Sequence, residues 1–241
     1  MKVSVVIPAF NEEKLIGACL DSVRAAFAAA GAGAGYELIV CDNNSSDATG
    51  AAAAAGGARV VFEPHNQIAL ARDRGAASAA GDWLLFIDAD SILSPETLRE
   101  ALELMRSGRV AGGGALIAFD PAPPLWGRTL TALVNFLCRL FSLAPGSFLF
   151  CHRDAFSAVG GFSRELYAGE ELALSRALSR WGLARGLAFA IITRAPHRSS
   201  GRKFRLYGTG ELLGQAFLFL LRPFSSARKA SRLGVFYDGR R

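Results

Sequence analysis

"LLFIDAD", residues 84–90, is an apolar run that ends in two carboxylates. Successive side chains of a strand point to opposite faces, so Asp88 and Asp90 at i, i+2 share a side. Like charges held that close repel unless something positive lies between them. The plain alternative is that Asp90 caps the next helix. That helix has its own start in Ser94-Pro95-Glu96, a cap residue followed by proline at the first helical position. Carboxylates at a strand end suit a hard divalent cation, Mg²⁺ or Mn²⁺. A cation bridging Asp90 and a diphosphate would neutralise a phosphate leaving group.

Upstream, the apolar runs Val3–Ile7, Glu37–Cys41 and Arg59–Phe62 alternate with helical stretches before the run at Trp83–Ile87. This rhythm predicts an α/β chain, a mostly parallel sheet with helices on both faces. Strands covered on both faces read as continuous apolar runs, as these do. In such sheets ligands bind beyond the C-terminal strand ends. Three of those ends are chemically marked: Pro8 to Glu12, Asp42 to Asn44, and Asp88 to Asp90. In "CDNNSSDAT", residues 41–49, Ser45 or Ser46 is expected to cap the following helix. Asp42 is expected to accept a hydrogen bond from a base or a ribose.

The second half is less regular. "ALIAF" (115–119) and "LAFAIIT" (187–193) read as further strands. Leu125–Leu143 reads as an amphipathic helix, with Leu130, Leu133, Val134, Leu137 and Phe141 on one stripe and Arg128, Asn135, Arg139 and Ser142 on the other. Ala168–Trp181 is a helix with acidic residues at its start. "GAGAGYE" (31–37) resembles a dinucleotide loop, but its glycines follow a helix and precede a strand, the wrong order for one. It reads as a helix-to-strand connection, as does "GGG" at 112–114. The chain contains no GxxxxGK[ST], which excludes a P-loop kinase.

The 241 residues, 51% apolar, are enough for one α/β domain with an appendage. The charge is uneven: residues 180–241 hold 13 of the 27 Lys and Arg, against only Glu211 and Asp238. A basic C-terminal quarter points to an anionic partner. Cys19, Cys41, Cys138 and Cys151 show no CxxC spacing, which suits core thiols in a reducing compartment and argues against zinc. "VSVVIPAF" runs straight into "NEE" without a cleavage site, so no signal peptide is expected. No uncharged apolar run reaches the roughly 18 residues needed to span a bilayer.

"VSVVIPAFNEE", "IVCDNNSSDAT" and "ALARDRGAASAAGDWLLFIDAD" together resemble the family 2 glycosyltransferases of bacterial type, inverting enzymes of the nucleotide-diphosphosugar transferase (GT-A) fold. The resemblance runs from Val3 to about Leu206. It implies that Pro8, Ala9, Asn11, Glu12 and Asp42 hold the nucleotide, with Arg72 close by. It implies that Asp88 and Asp90 hold the cation, Asp90 directly. Where the family usually has a second Asp, this chain has Asn43, which bears on base selection. "FLFCHRDAFSAVGGFSRELYAGEELALSRAL" resembles the family's acceptor region, where an Asp is the general base. Glu171 stands at that position, one methylene longer, with Glu170 beside it as a second catalytic candidate. "HRSSGRKFR" (197–205) resembles the late basic segment. There Arg202 and Lys203 would close over the diphosphate, and His197 would be a further metal ligand.

The expected organisation is a GT-A domain at 1–205, with a nucleotide-sugar half (1–120) and an acceptor half (121–205), followed by a basic amphipathic helical tail at 206–241. The tail pairs an apolar run, Leu212–Leu221, with a basic cluster, which suits a helix lying on anionic lipid. The Leu125–Leu143 helix can do the same. The expected function is transfer from a nucleotide-diphosphosugar donor to a glycan or lipid-linked acceptor of the cell envelope. The expected location is cytoplasmic, peripheral on the inner leaflet. A nucleotidyltransferase of similar fold is one rival, though "PAFNEE" lacks the glycine- and arginine-rich loop of those enzymes. A non-catalytic membrane-docked binding module is another. Nucleic acid is not an expected partner, because the tail has few aromatics placed for stacking.

Overall fold

The computed structural model describes residues 1–31, 35–206 and 210. Seven strands form one sheet. At its centre β1 (Lys2–Ala9) pairs in parallel with β2 (Gly35–Asp42) and β4 (Trp83–Ile87), and β2 pairs in parallel with β3 (Arg59–Phe62). Beyond β4 come β6 (Phe148–His152), then β5 (Val110–Asp120), then β7 (Ala188–Ser200). β6 runs antiparallel to both its neighbours, and β7 is parallel to β5. The four apolar runs of the first half are therefore strands, and they lie side by side.

Both faces of the sheet are covered. Val5, Ile7, Val40, Leu85 and Phe150 pack on one face with α1 (Ile16–Ala29), α2 (Thr49–Ala55) and α4 (Pro95–Arg106). Val6, Leu84, Phe86 and Leu149 point the other way, into α3 (Ile68–Ala77), α6 (Arg153–Val159) and α7 (Glu170–Leu183). This is period-2 alternation with an apolar layer on each side. α4 starts as expected: Ser94 Oγ accepts from the Thr97 N–H at 3.1 Å, and Pro95 follows.

The structure corrects two expectations. "GGG" is not a connection but part of β5. A Cβ on Gly112 would lie 2.6 Å from the Phe150 carbonyl oxygen, and one on Gly114 would lie 2.5 Å from Ala144 Cβ. The glycines are there because neighbouring backbone leaves no room for a side chain. Neither Ser45 nor Ser46 caps α2. Ser45 Oγ accepts instead from Asn11 N–H at 3.0 Å, and the Thr49 N–H is taken by Asp47 Oδ1 at 2.9 Å. β6, within the stretch that resembles the family's acceptor region, is the strand that joins the two halves of the sheet.

The amphipathic helix is present as α5 (Leu125–Leu140), with Gly127, Asn135 and Cys138 turned inward and Arg128 and Arg139 of the polar stripe left exposed. Asn135 Oδ1 accepts from the Ile117 N–H at 3.0 Å, and its Nδ2 donates to the Ile117 carbonyl at 2.8 Å. Ile117 sits at a register shift of β5, where the regular ladder cannot satisfy the backbone. The apolar stripe is left outside. The expected tail helix at 206–241 lies outside the described residues apart from Leu206, which ends the short α8 (Lys203–Leu206), and residue 210.

Candidate active site

A cleft of about 800 Å³ opens at the C-terminal strand ends. Pro8, Ala9, Glu12, Asp88, Asp90, Glu170 and Glu171 all line it. β1 and β2 each end in a loop containing an Asn with positive φ, Asn11 (54°) and Asn44 (64°), a conformation Asn tolerates better than most residues. The two loops are laced together. Asn11 Oδ1 accepts from the Ser46 N–H at 2.8 Å, and the Glu12 N–H donates to Thr49 Oγ1 at 2.7 Å. Asn11 thus braces the loops and does not line the cleft.

Asp42 ends β2, and its Oδ1 accepts from the Ser45 N–H at 3.0 Å. Its neighbour Asn43 is buried and lines the cleft. Asn43 Nδ2 donates to the carbonyls of Glu63 and His65. An aspartate has no N–H to give, so the amide here ties the loop after β3 to the wall of the cleft.

Asp88 and Asp90 lie just past the end of β4, in a turn closed by the Ser91 N–H on the Asp88 carbonyl at 3.0 Å. Each has its own guanidinium. Arg72 Nη2 donates to Asp88 Oδ1 at 2.9 Å, and Arg202 Nη2 lies 3.2 Å from Asp90 Oδ2. Arg202 also grips Glu12 with both terminal nitrogens, Nη1 donating to Oε2 at 2.8 Å. The side chain of Lys203 lies outside the described residues.

Arg72 is the hub of the site. It does not line the cleft but lies beneath it, 1% exposed. Its Nη1 donates to Glu170 Oε1 at 2.9 Å and to Glu171 Oε1 at 2.7 Å, and its guanidinium stands 5.2 Å from the Phe162 ring centre. Burial works to lower its pKa, but the carboxylates of Glu171, Asp88 and Glu170 outweigh burial and hold it above its usual range. The adjacent Asp73 accepts from the Phe162 N–H at 3.0 Å and pairs with Arg164 at 3.6 Å. "ARD" on α3 therefore clamps the segment that leads into Glu170 and Glu171.

The two glutamates begin α7, after Gly169 in the left-handed region (φ 77°). Glu170 is 2% exposed and turned into the protein; burial, then the neighbouring Glu171 charge, pushes its carboxyl up to about 8. Glu171 keeps 14% of its side chain exposed. Both line the cleft, and Glu171 is the more exposed of the pair.

His197 on β7 is fully buried, and neither ring nitrogen finds a partner among the described residues. Burial pushes it down to about 4 against the pull of Asp88, so the imidazole is neutral and can ligate. An orphaned neutral imidazole near Asp88 fits a cation. Among the described residues, however, no three His, Cys, Asp or Glu side chains already converge as a metal cluster. Ser147 lines the cleft, and its buried Oγ has no partner among the described residues; no sequence motif marks it. All four cysteines are buried and free.

The comparisons with known proteins agree with this architecture. An uncharacterized glycosyltransferase of Mycobacterium bovis is 35% identical over 106 residues, which are 44% of this chain and 44% of that protein. The glucosyl-3-phosphoglycerate synthase of Mycobacterium tuberculosis is 39% identical over 106 residues, 40% of this chain and 31% of that one. The matches thus span less than half the length of these curated relatives. Among solved structures, glucosyl-3-phosphoglycerate synthase from Mycobacterium tuberculosis, in complex with Mn²⁺, UDP and phosphoglyceric acid, superposes with a TM-score of 0.64. It is 23% identical, over 97% of this chain and 78% of that chain. A mannosyltransferase from Pyrobaculum calidifontis, in complex with GDP-Man and Mn²⁺, gives 0.65 at 16% identity, over 96% and 64%. These two likenesses carry the fold. The model of glycosyl transferase family 2 matches residues 4–159, more than half of the chain. The chain belongs to glycosyl transferase family 2.

Proposed function

We propose that this chain transfers a sugar from a nucleotide-diphosphosugar to an acceptor hydroxyl with inversion. The observation that carries the reading is that Glu171 and the Asp88–Asp90 turn open on one cleft and are tied to one another through Arg72. Residues 1–120 form the donor half and 121–205 the acceptor half. Pro8, Ala9, Asn11, Glu12 and Asp42 shape the nucleotide side, with Asn11 acting through the loop it braces. Arg72 positions Asp88 from below. Asp88, Asp90 and His197 hold a divalent cation, which when bound offsets the charge of the departing diphosphate. Arg202 and Lys203 turn to the diphosphate, Arg202 leaving Asp90 to do so.

Glu171 takes the proton from the acceptor hydroxyl. That oxygen forms its bond to the anomeric carbon as the bond to the diphosphate oxygen breaks, and the electron pair leaves with the diphosphate. Arg72 holds Glu171 in place through a charge-assisted hydrogen bond. Glu170 is a positioning residue, buried against Arg72.

The relative's phosphoglyceric acid is a small polar molecule. Here the cleft wall carried by α5 is apolar, with Val134, Leu137 and Phe141. A lipid-linked acceptor of envelope glycan synthesis suits that wall, and with it a peripheral position at the cytoplasmic face of a membrane. No helix among the described residues is long and apolar enough to cross a membrane.

A thermal-shift panel tests the donor site: UDP, GDP, CDP and dTDP, each with and without Mn²⁺, on the wild type and Asp90→Ala. Ligands that bind only the folded state raise Tm by mass action. The expected result is one nucleotide whose shift needs Mn²⁺ and vanishes in Asp90→Ala. A folded protein shifted by none of them would overturn the donor site.

A further inference from the structure

Helix α5 turns the side that carries Gly127, Asn135 and Cys138 inward. Gly127 lies so close to its neighbours that an added Cβ would fall 2.9 Å from Pro123 and 3.0 Å from Phe204, and Asn135 bonds the β5 backbone. Its apolar side chains point outward: Leu133 is 51% exposed, Phe136 61%, Leu140 60% and Phe141, the residue that ends the helix, 62%. These positions follow the i, i+3, i+7, i+8 spacing and form one stripe. A contiguous exposed apolar stripe marks an interaction surface.

Two observations narrow its occupant. From Pro121 to His152 the chain has no acidic residue, while Arg128 and Arg139 on α5 are exposed. The last 62 residues are strongly basic as well, so charge opposes their tail as a cover for α5 but draws both elements to an anionic surface. The stripe is also continuous with the cleft, because Phe141 belongs to both and Val134 and Leu137 stand beside it, partly exposed.

We propose that α5 docks on an anionic lipid bilayer, with its apolar stripe in the interfacial region and Arg128 and Arg139 at the lipid phosphates. The cleft then opens against the membrane, and an amphiphilic acceptor reaches Glu171 sideways along Phe141, Leu137 and Val134. The second half of this inference rests on the glycosyltransferase reading; the docking itself does not.

The test places an environment-sensitive NBD fluorophore on the full chain at Phe136→Cys, with Glu103→Cys on α4 as the control. The four native thiols are buried, so the introduced cysteine is the one that labels. Vesicles are phosphatidylcholine alone, or mixed with phosphatidylglycerol. The expected result is a blue shift at position 136 with the anionic vesicles only, none at position 103, and a weaker response in high salt. The double variant Leu133→Glu, Leu140→Glu, neither of which lines the cleft, is expected to lose vesicle partitioning at least tenfold. Its nucleotide-dependent Tm shift should stay, which separates docking from the donor site. Flotation without a shift at 136 would mean that the tail alone binds lipid, and would overturn the proposal. A fluorophore already blue-shifted without vesicles would also overturn it, with light scattering telling a second copy from the chain's own tail.

Discussion

Two guanidiniums hold the cleft, and they are built for different ends. Arg72 lies on α3, which packs on one face of the sheet, 1% exposed, with three carboxyl groups around it from two other stretches of chain. Arg202 lies at the end of β7, with 19% of its side chain exposed, and reaches over to Glu12 and Asp90. Burying Arg72 is costly unless every partner is present, so its ion pairs form a fixed bracket. Arg202 meets solvent and touches one of the proposed cation ligands, so its contacts can be exchanged. The same side chain serves as a strut in one place and as a movable clasp in the other.

The comparison is sharpest where Arg72 meets the cleft. Glu171→Gln keeps a hydrogen-bond acceptor for Arg72 but cannot take a proton. Transfer is expected to fall by about 100- to 10,000-fold with Tm little changed, read by turnover and thermal melting. An active Glu171→Gln enzyme would remove the base assignment.

Arg72→Met attacks the bracket itself. Asp88 and Glu171 lose their shared cation and Glu170 its hydrogen-bond donor, and the expected loss is about 3–5 kcal/mol, a fall in Tm of roughly 10 °C. Adding Glu170→Gln should restore part of it only at high pH, where the carboxyl would otherwise be charged, and a double-mutant cycle measures how much.

Glu170→Gln alone reads the bracket through pH. Folded Glu170 holds its proton up to about pH 8, against an ordinary 4.5. Below 4.5 both folded and unfolded chains are protonated there, and the contribution is fully present. Between 4.5 and 8 only the folded chain keeps the proton, so stability falls as pH rises. The Gln variant should show a flatter decline in Tm across that window; an unchanged slope would place the titration elsewhere.

Arg202→Ala is expected to be the mildest change, about 1 kcal/mol in stability, with KM for the donor rising more than kcat falls. Destabilisation as large as that of Arg72→Met would erase the distinction between strut and clasp.

Much of this was legible from the chain. The four strands of the first half, their order of appearance and the three marked strand ends follow from local apolar runs and turn residues. Ser94-Pro95-Glu96 announced α4 because capping is a local matter. The missed features depend on partners far away in sequence. "GGG" sits in a strand because Phe150 and Ala144 crowd it, and Arg72 is a hub because Glu170 lies 98 residues on. The stripe on α5 was visible as a pattern, but a periodicity says only that two faces differ. The side with Asn135 turned inward because that asparagine meets a break in the β5 ladder, while Arg128 and Arg139 stayed exposed.

The strand order carries a consequence for how the chain comes into being. β5 does not touch β4; it joins the sheet only through β6, which arrives some 30 residues later, and through β7. As the polypeptide leaves the ribosome, β1 to β4 can assemble as they emerge, but the outer edge of β4 stays open until residue 152 is made. The three glycines of β5 wait without neighbours during that interval. Synthesis can thus complete the β3-β2-β1-β4 part of the sheet first, and β5 and β7 can join it only once β6 has paired antiparallel with β4.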